Sequence, residues 1–271
     1  MQDLSGLGKT DRKRLTAVIR RSKGAISVDE AAEALQVSAT DAAKMLARWA
    51  GKGWLSRIRR GLYVSVPLES LISDVPLEDP WLIADRLYSP CYIGGWSAAE
   101  YWDLTEQIFR SILVMTTRKP RERTLTIRNT KFVIRTVQEK ALFGLKTVWR
   151  GQVKVSVSDP ARTVVDMLSD PGLGGGIRPT ADVLLNYLKS ESRNLELLIE
   201  YAKTLGNGAA FKRLGFLLDH LAPEEDEALQ ACLAWLTKGN AKLDSALPAE
   251  RLISKWRLWV PENWMKKGRK E

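Results

Sequence analysis

The same helix-start signal is written twice in close succession. Ser27 with Glu30, and Ser38 with Asp41, each place a capping hydroxyl three residues before an acid. At that spacing a serine side chain satisfies free backbone N–H groups at a helix N-terminus. Only the turn at Gln36–Val37 separates the two predicted helices, which is the signature of a helix-turn-helix. Upstream, TDRKRLTAVIRRSKG carries Leu15, Val18 and Ile19 at helical spacing and ends at Gly24. The third helix divides into two faces. Ala42, Met45, Leu46 and Trp49 form an apolar stripe suited to packing on the first two helices. Thr40, Lys44 and Arg48, four apart, fall on the other face. Gly51 and Gly53 stop this helix, and WLSRIRRGLYVS reads as two short strands around Arg59–Arg60–Gly61. Three helices and a basic hairpin predict a winged helix-turn-helix over residues 1–67.

Charge bears on what this head would grip. The chain of 271 residues carries a formal net charge of +10. That charge is concentrated: +7 over 1–67, −6 over 68–117, +9 over 118–154 and 0 over 155–271. A concentrated positive charge points to an anionic partner. A helix of this kind fits the major groove of B-DNA, so Ser38, Thr40, Lys44 and Arg48 are candidate DNA-facing residues. Arg57, Arg59 and Arg60 on the hairpin would meet phosphates or the neighbouring minor groove. The alternative is a protein–protein module on the same scaffold.

Beyond Pro67 the pattern changes. VPLEDPWLIADRLY predicts a helix capped by Asp79 with Pro80 at its first position. YIGGWSAAEYWDLTEQ adds a strand, a glycine turn and a helix. IFRSILVMTT, RTLTIRN, KFVIRTV and VWRGQVKVSVS alternate as strands of one sheet, and SDPARTVVDML opens another Asp-Pro helix. PGLGGGIRP reads as a flexible linker. Four helical runs follow it: PTADVLLNYLK, NLELLIEYAKTL, AAFKRLGFLLDHL and EEDEALQACLAWL. The expected class is α+β: the winged head, then a larger mixed α/β domain over 68–271. Its sheet-containing part covers about 68–170, and a helical C-terminal part about 177–271.

In this order of pieces the chain resembles the AbiEi family, antitoxins and transcriptional repressors of bacterial type IV, abortive-infection toxin–antitoxin systems. The resemblance lies in the head ending in RRGLYVS, in YIGGWSAAEYWDLTEQ, in SDPARTVVDML, and in the later FKRLGFLLDHL and KWRLWVPENW. It implies that the head binds operator DNA, inverted repeats upstream of its own operon, as a monomer or a cooperative dimer. It implies further that the larger domain acts against a nucleotidyltransferase toxin of the AbiEii type, with no stable complex expected. Autoregulation and phage resistance follow from the same resemblance.

Other signals narrow the chemistry. In the +9 segment, Arg118, Lys119, Arg121, Arg123, Arg128, Lys131 and Arg135 form either a second nucleic-acid surface or a solvated strand face. Arg162 and Asp166, four apart, are either part of an antitoxin surface or a helix pair worth ~0.2–0.5 kcal/mol, the pair being favoured. PGLGGGIRP lacks the Lys-Ser/Thr of a phosphate loop and follows a helix rather than a strand. His220, the single histidine, excludes multi-histidine metal sites and reads as structural near a helix end. Asp11-Arg12-Lys13, the one acid-x-Lys triplet, sits in the first helix and not on a central strand, which disfavours a nuclease. No cofactor or metal is expected, and no enzymatic activity.

Cys91 and Cys232 fit no metal or redox spacing and read as free thiols of a reducing cytoplasm. The first residues lack the pattern of a signal peptide, and the uncharged run Leu87–Ala99 is too short and broken to span a bilayer. The expected protein is a cytoplasmic autorepressor and antitoxin. A winged-helix regulator whose larger domain senses a small ligand is the alternative.

Overall fold

The computed structural model describes residues 6, 8–22, 24–66, 79–151, 153–262 and 264. The expected boundary at 67–68 lies outside them, as do residues 1–5 of the N-terminal stretch. The first elements are α1 (Lys9–Arg21), β1 (Ile26–Ser27), α2 (Val28–Leu35), α3 (Ala39–Gly51), β2 (Leu55–Arg59) and β3 (Leu62–Ser65). Both predicted start signals operate. The Ser27 hydroxyl accepts from the Glu30 amide while the Glu30 carboxylate accepts from the Ser27 amide, and the Ser38 hydroxyl accepts from the Asp41 amide. Gln36, in the left-handed region at φ 52, ends α2. Leu15, Val18, Ala31, Ala42, Leu46 and Trp49 bury together with Ile26, Leu55 and Tyr63 of the strands. β1, β3 and β2 form a three-stranded antiparallel sheet, in that order.

The chain then runs through α4 (Pro80–Tyr88), β4 (Cys91–Ile93), α5 (Gly95–Tyr101), β5 (Ser111–Thr116), β6 (Thr124–Ile127), β7 (Thr130–Thr136), β8 (Leu145–Arg150) and β9 (Val153–Ser158). Six strands form one mixed sheet in the order β6-β7-β5-β4-β9-β8, with β4 parallel to β9. Helices α6 (Pro160–Ser169), α7 (Ile177–Lys189), α8 (Leu195–Leu205), α9 (Gly208–Leu221) and α10 (Asp226–Ala234) follow. Last come β10 (Ala241–Lys242), β11 (Arg251–Ile253) and β12 (Leu258–Val260). The whole is a mixed α+β fold. Among the described residues no helix is long and apolar enough to cross a membrane.

Two compact units divide the chain. One comprises Met1–Cys91, Arg110–Ile134 and Val148–Val155, and the other Tyr92–Phe109, Arg135–Thr147 and Ser156–Glu271. In the first unit, Arg86 of α4 pairs with Glu30 at 2.6 Å, so the acid that closes the α2 capping box also anchors α4. The Arg128 guanidinium donates to the Ser65 carbonyl, at the end of β3, at 3.4 Å.

The second unit is organised on α6, buried from Pro160 to Leu168. Three expectations are corrected here. Arg162 and Asp166 are neither a solvated helix pair nor part of an exposed surface, because Arg162 is 0% exposed and Asp166 is buried. The Arg162 Nε donates to Asp166 Oδ1 at 2.9 Å, Nη2 to the Tyr92 hydroxyl at 3.2 Å and Nη1 to the Phe143 carbonyl at 3.3 Å. PGLGGGIRP is not a linker. Pro171–Gly174 form a 3₁₀ turn capped by Asp170, with Pro171, Leu173 and Gly174 buried, and α7 begins at Ile177. Among the described residues the C-terminal part is α-helical only as far as Ala234. Beyond it β10, β12 and β11 pair as a small sheet, held to α9 by Arg213, which donates to the Lys242 and Leu243 carbonyls at 2.9 Å.

Two substitutions test this packing. A Cβ at Gly215 of α9 would lie 2.1 Å from the ring of Trp256, a buried side chain tied by its indole N–H to Asp219. Gly215→Ala is expected to destabilise the protein by about 1–3 kcal/mol through overpacking, although alanine is intrinsically the better helix former. Arg162→Ala leaves Asp166 buried without its cation and is expected to cost about 3–5 kcal/mol. Denaturant titration of each variant measures both. Wild-type midpoints would refute this packing.

Candidate nucleic-acid interface

The exposed face of α3 follows from how its other face is held. Ala42, Leu46 and Trp49 are locked in the core, so Thr40, Lys44, Ala47, Arg48 and Gly51 face solvent. Thr40 and Lys44 stand exposed one turn apart, as expected. The small residues Ala47 and Gly51 beside them were not singled out in the sequence. They keep this face low, so that a surface pressed against it can come near the helix backbone. The same exposed pattern of short side chains between basic ones was the signal available for finding them.

Ser38 is committed to structure as well as exposed. It caps α3, and its hydroxyl donates to Asp41 Oδ2 at 2.6 Å. Arg48 is not an open cation: its Nη2 donates to Asp11 Oδ1 of α1 at 2.9 Å, with the arginine side chain 52% exposed. Asp11, read in the sequence only as part of an acid-x-Lys triplet, is therefore the partner of Arg48. At the hairpin, burial fades from Leu55 toward Arg57, Arg59 and Arg60, all exposed. The pairing shifts register between Arg57 and Arg59, and the Arg57 Nε donates to the Arg59 carbonyl at 3.4 Å. Gly61, at φ +76, supplies the left-handed turn conformation that an arginine would adopt only with strain.

The second basic segment differs in exposure along its length. Arg118, Lys119, Arg121, Arg123 and Lys131 are exposed, on or beside the β6–β7 hairpin. Arg128 is half-buried against Ser65, and desolvation lowers its pKa. Arg135 is half-buried on β7, the strand that also carries Lys131.

The histidine and the cysteines serve the interior. The His220 Nδ1 lies 2.7 Å from the Phe216 carbonyl one turn back, its ring against that of Phe216. Cys91 and Cys232 are free and buried, and burial pushes both thiols up to about 12, where they stay protonated and unreactive. Among the described residues, no group of three or more His, Cys, Asp or Glu side chains is placed to hold a metal.

Known proteins supply an independent comparison. A family model described as "Transcriptional regulator, AbiEi antitoxin" matches residues 13–66, which cover most of α1 together with α2, α3 and the hairpin. The fold is similar to the crystal structure of the RV2827C protein from Mycobacterium tuberculosis, with a TM-score of 0.64 at 17% identity. That similarity covers 96% of this chain and 94% of the other, so it extends to both units. No curated protein matches the chain. Residues 13–66 are thus similar to the AbiEi antitoxin transcriptional regulators, and the rest of the chain shares its fold with a solved structure.

Proposed function

We propose that this protein is the antitoxin of a type IV toxin–antitoxin system and represses its own operon. In this reading α1–α3 and β1–β3 act as a winged helix-turn-helix on inverted repeats upstream of the operon. The rest of the chain, 68–271, opposes a nucleotidyltransferase toxin of the AbiEii type without forming a stable complex with it. The protein works in the cytoplasm and fills its repeats as a monomer or a cooperative dimer. One observation carries the DNA-binding half: α3 presents Thr40, Lys44 and Arg48 on a low exposed face while its other face is fixed by Ala42, Leu46 and Trp49, within the segment that matches the regulator family. The antitoxin half rests on that family match.

The two basic elements have different tasks. Lys44 and Arg48 on a rigid helix read base edges. Arg57, Arg59 and Arg60, long side chains at a turn, neutralise phosphates and add affinity without sequence information. DNase footprinting on the DNA upstream of the gene locates the operator. Lys44→Ala with Arg48→Ala is expected to weaken operator binding by about 1–3 kcal/mol for each base interaction removed, while leaving random-sequence binding much less affected. Replacing Arg57, Arg59 and Arg60 by Ala should weaken both alike and flatten the log–log salt dependence by about 2.7, or about 0.9 for each phosphate neutralised by the wild type. A triple variant that keeps the slope and loses sequence preference would show instead that the hairpin reads bases.

The two activities should also separate in the intact chain. Full-length protein carrying Lys44→Ala and Arg48→Ala is expected to derepress a promoter fusion yet still rescue growth when the toxin is expressed. Rescue that disappears with operator binding, at equal protein levels, would tie antitoxicity to DNA binding.

A further inference from the structure

Trp149 is 63% exposed, more than Trp235 at 49%. It lies on β8, an edge of the six-stranded sheet, next to the β8–β9 turn. Its environment is cationic: Lys154 of β9 places its Nζ 5.0 Å from the ring centroid. The turn is open as well, since a Cβ added at Gly151 would meet nothing within 4 Å. The other tryptophan of this unit near that strand is used differently. Trp81 is buried, and Arg150 lies over its ring at 4.1 Å while also facing Asp79 at 3.8 Å. Residue 150 therefore serves the interior, and residue 149 projects a large indole outward with a lysine over its ring.

We infer that Trp149, with Lys154, is a stacking platform for an unpaired nucleotide, the indole taking a base and the ammonium its phosphate. An indole face flanked by a cation is matched by an aromatic base carrying an anionic backbone. The base must be unpaired, because in a duplex both faces are covered by neighbouring pairs. The segment that holds the platform, 118–154, has net charge +9, which complements a nucleic acid and repels another copy of itself. Edge-to-edge pairing with a second copy is disfavoured in addition by Lys146, exposed on β8. The platform is distinct from the α3 face and does not depend on the operator reading.

The test is fluorescence anisotropy of the full-length protein at physiological ionic strength. The probes are a labelled mixed-sequence single-stranded 12-mer, as RNA and as DNA, and a blunt duplex of the same sequence. Trp149→Ala is expected to weaken single-strand binding by about 5- to 150-fold, the range for removal of one stacked base, with duplex binding unchanged. Trp149→Phe should retain most of the affinity, since a smaller π-face remains. Preference for RNA would assign the 2′-hydroxyl a role in binding, and equal binding would restrict readout to base and phosphate. Either result supports the platform. No single-strand binding by wild type, an unaffected Trp149→Ala variant, or equal weakening on single strand and duplex would each overturn it. A thermal melt of Trp149→Ala matching wild type excludes misfolding. Failure of the operator reading would appear separately, as insensitivity of footprinting to Lys44→Ala and Arg48→Ala.

Discussion

A helix buried along its whole length must bring its own polar partners, and α6 shows what that requires. Asp159 caps its first turn, accepting from the Arg162 amide at 2.8 Å, and also accepts from the Tyr201 hydroxyl at 2.9 Å. Ser158 and Thr163 share a hydrogen bond at 2.7 Å. At the other end Arg213 donates to the Leu168 and Ser169 carbonyls at 2.8 and 2.9 Å, satisfying C-terminal groups that lack helical partners. Between them lies Arg162, with its guanidinium 4.0 Å from the Phe143 ring centroid and its Nε on Asp166. Burial pushes the Asp166 carboxyl above the usual carboxylate range, against the opposing pull of Arg162 and Tyr92. Such a pair adds little net stability over apolar residues of the same size, but it tolerates no loss of one partner. Its geometry also restricts the neighbours. A Cβ at Gly144 would meet Tyr201 at 2.8 Å and Arg162 at 3.0 Å, at a residue already at φ +61.

The N-terminal segment is built in the opposite way. Its core is almost wholly apolar, from Leu15 through Trp49 to Tyr63, and its polar groups work at the surface as caps. Removing polar duties from the interior leaves the outer face of α3 free to vary with whatever it must recognise. The interior of the second unit is less free, since Arg162, Asp166 and Arg213 depend on one another's surroundings. Substitutions there act through stability before they act through recognition.

Local rules made much of this legible. Asp79 and Asp159 each cap the helix whose Asp-Pro start announced it, and the apolar stripes of α3 and α9 face inward as their spacing demands. The misreadings share one cause, because each depended on a distant partner. Four residues between Arg162 and Asp166 look the same on a solvated helix as on a buried one. Only Tyr92, 70 residues away in sequence from Arg162, decides between them. The glycines of Gly174–Gly176 suggest slack, yet Gly174 has no room for a Cβ beside Met167, and Asp244 Oδ2 takes the Ile177 amide at 2.9 Å. The strands β10–β12 are two or three residues long, too short for alternation to register. At the candidate interface, exposure of Thr40 and Lys44 followed from helical phase, whereas the Arg48–Asp11 pair joins two elements and left no local trace.

In the proposed DNA-binding reading, that pair sets how Arg48 would take part in recognition. A half-exposed ion pair is worth about 0–1 kcal/mol, whereas a bidentate interaction with a guanine is worth about 1–3 kcal/mol. Release from Asp11 is therefore favourable only when the right base is offered. Asp11, once left, is an acid near a phosphate backbone and pulls Arg48 back wherever the base interaction is poor. A base interaction too weak to offset the exchange leaves the pair intact, so the pair costs the right sequence its full energy and the wrong one no more than that. Lys44, for which no such acid partner occurs among the described residues, would bear no such cost on either sequence. Asp11→Asn should accordingly raise operator affinity at least as much as random-sequence affinity, measured side by side at fixed salt. A gain confined to random sequence would refute this exchange.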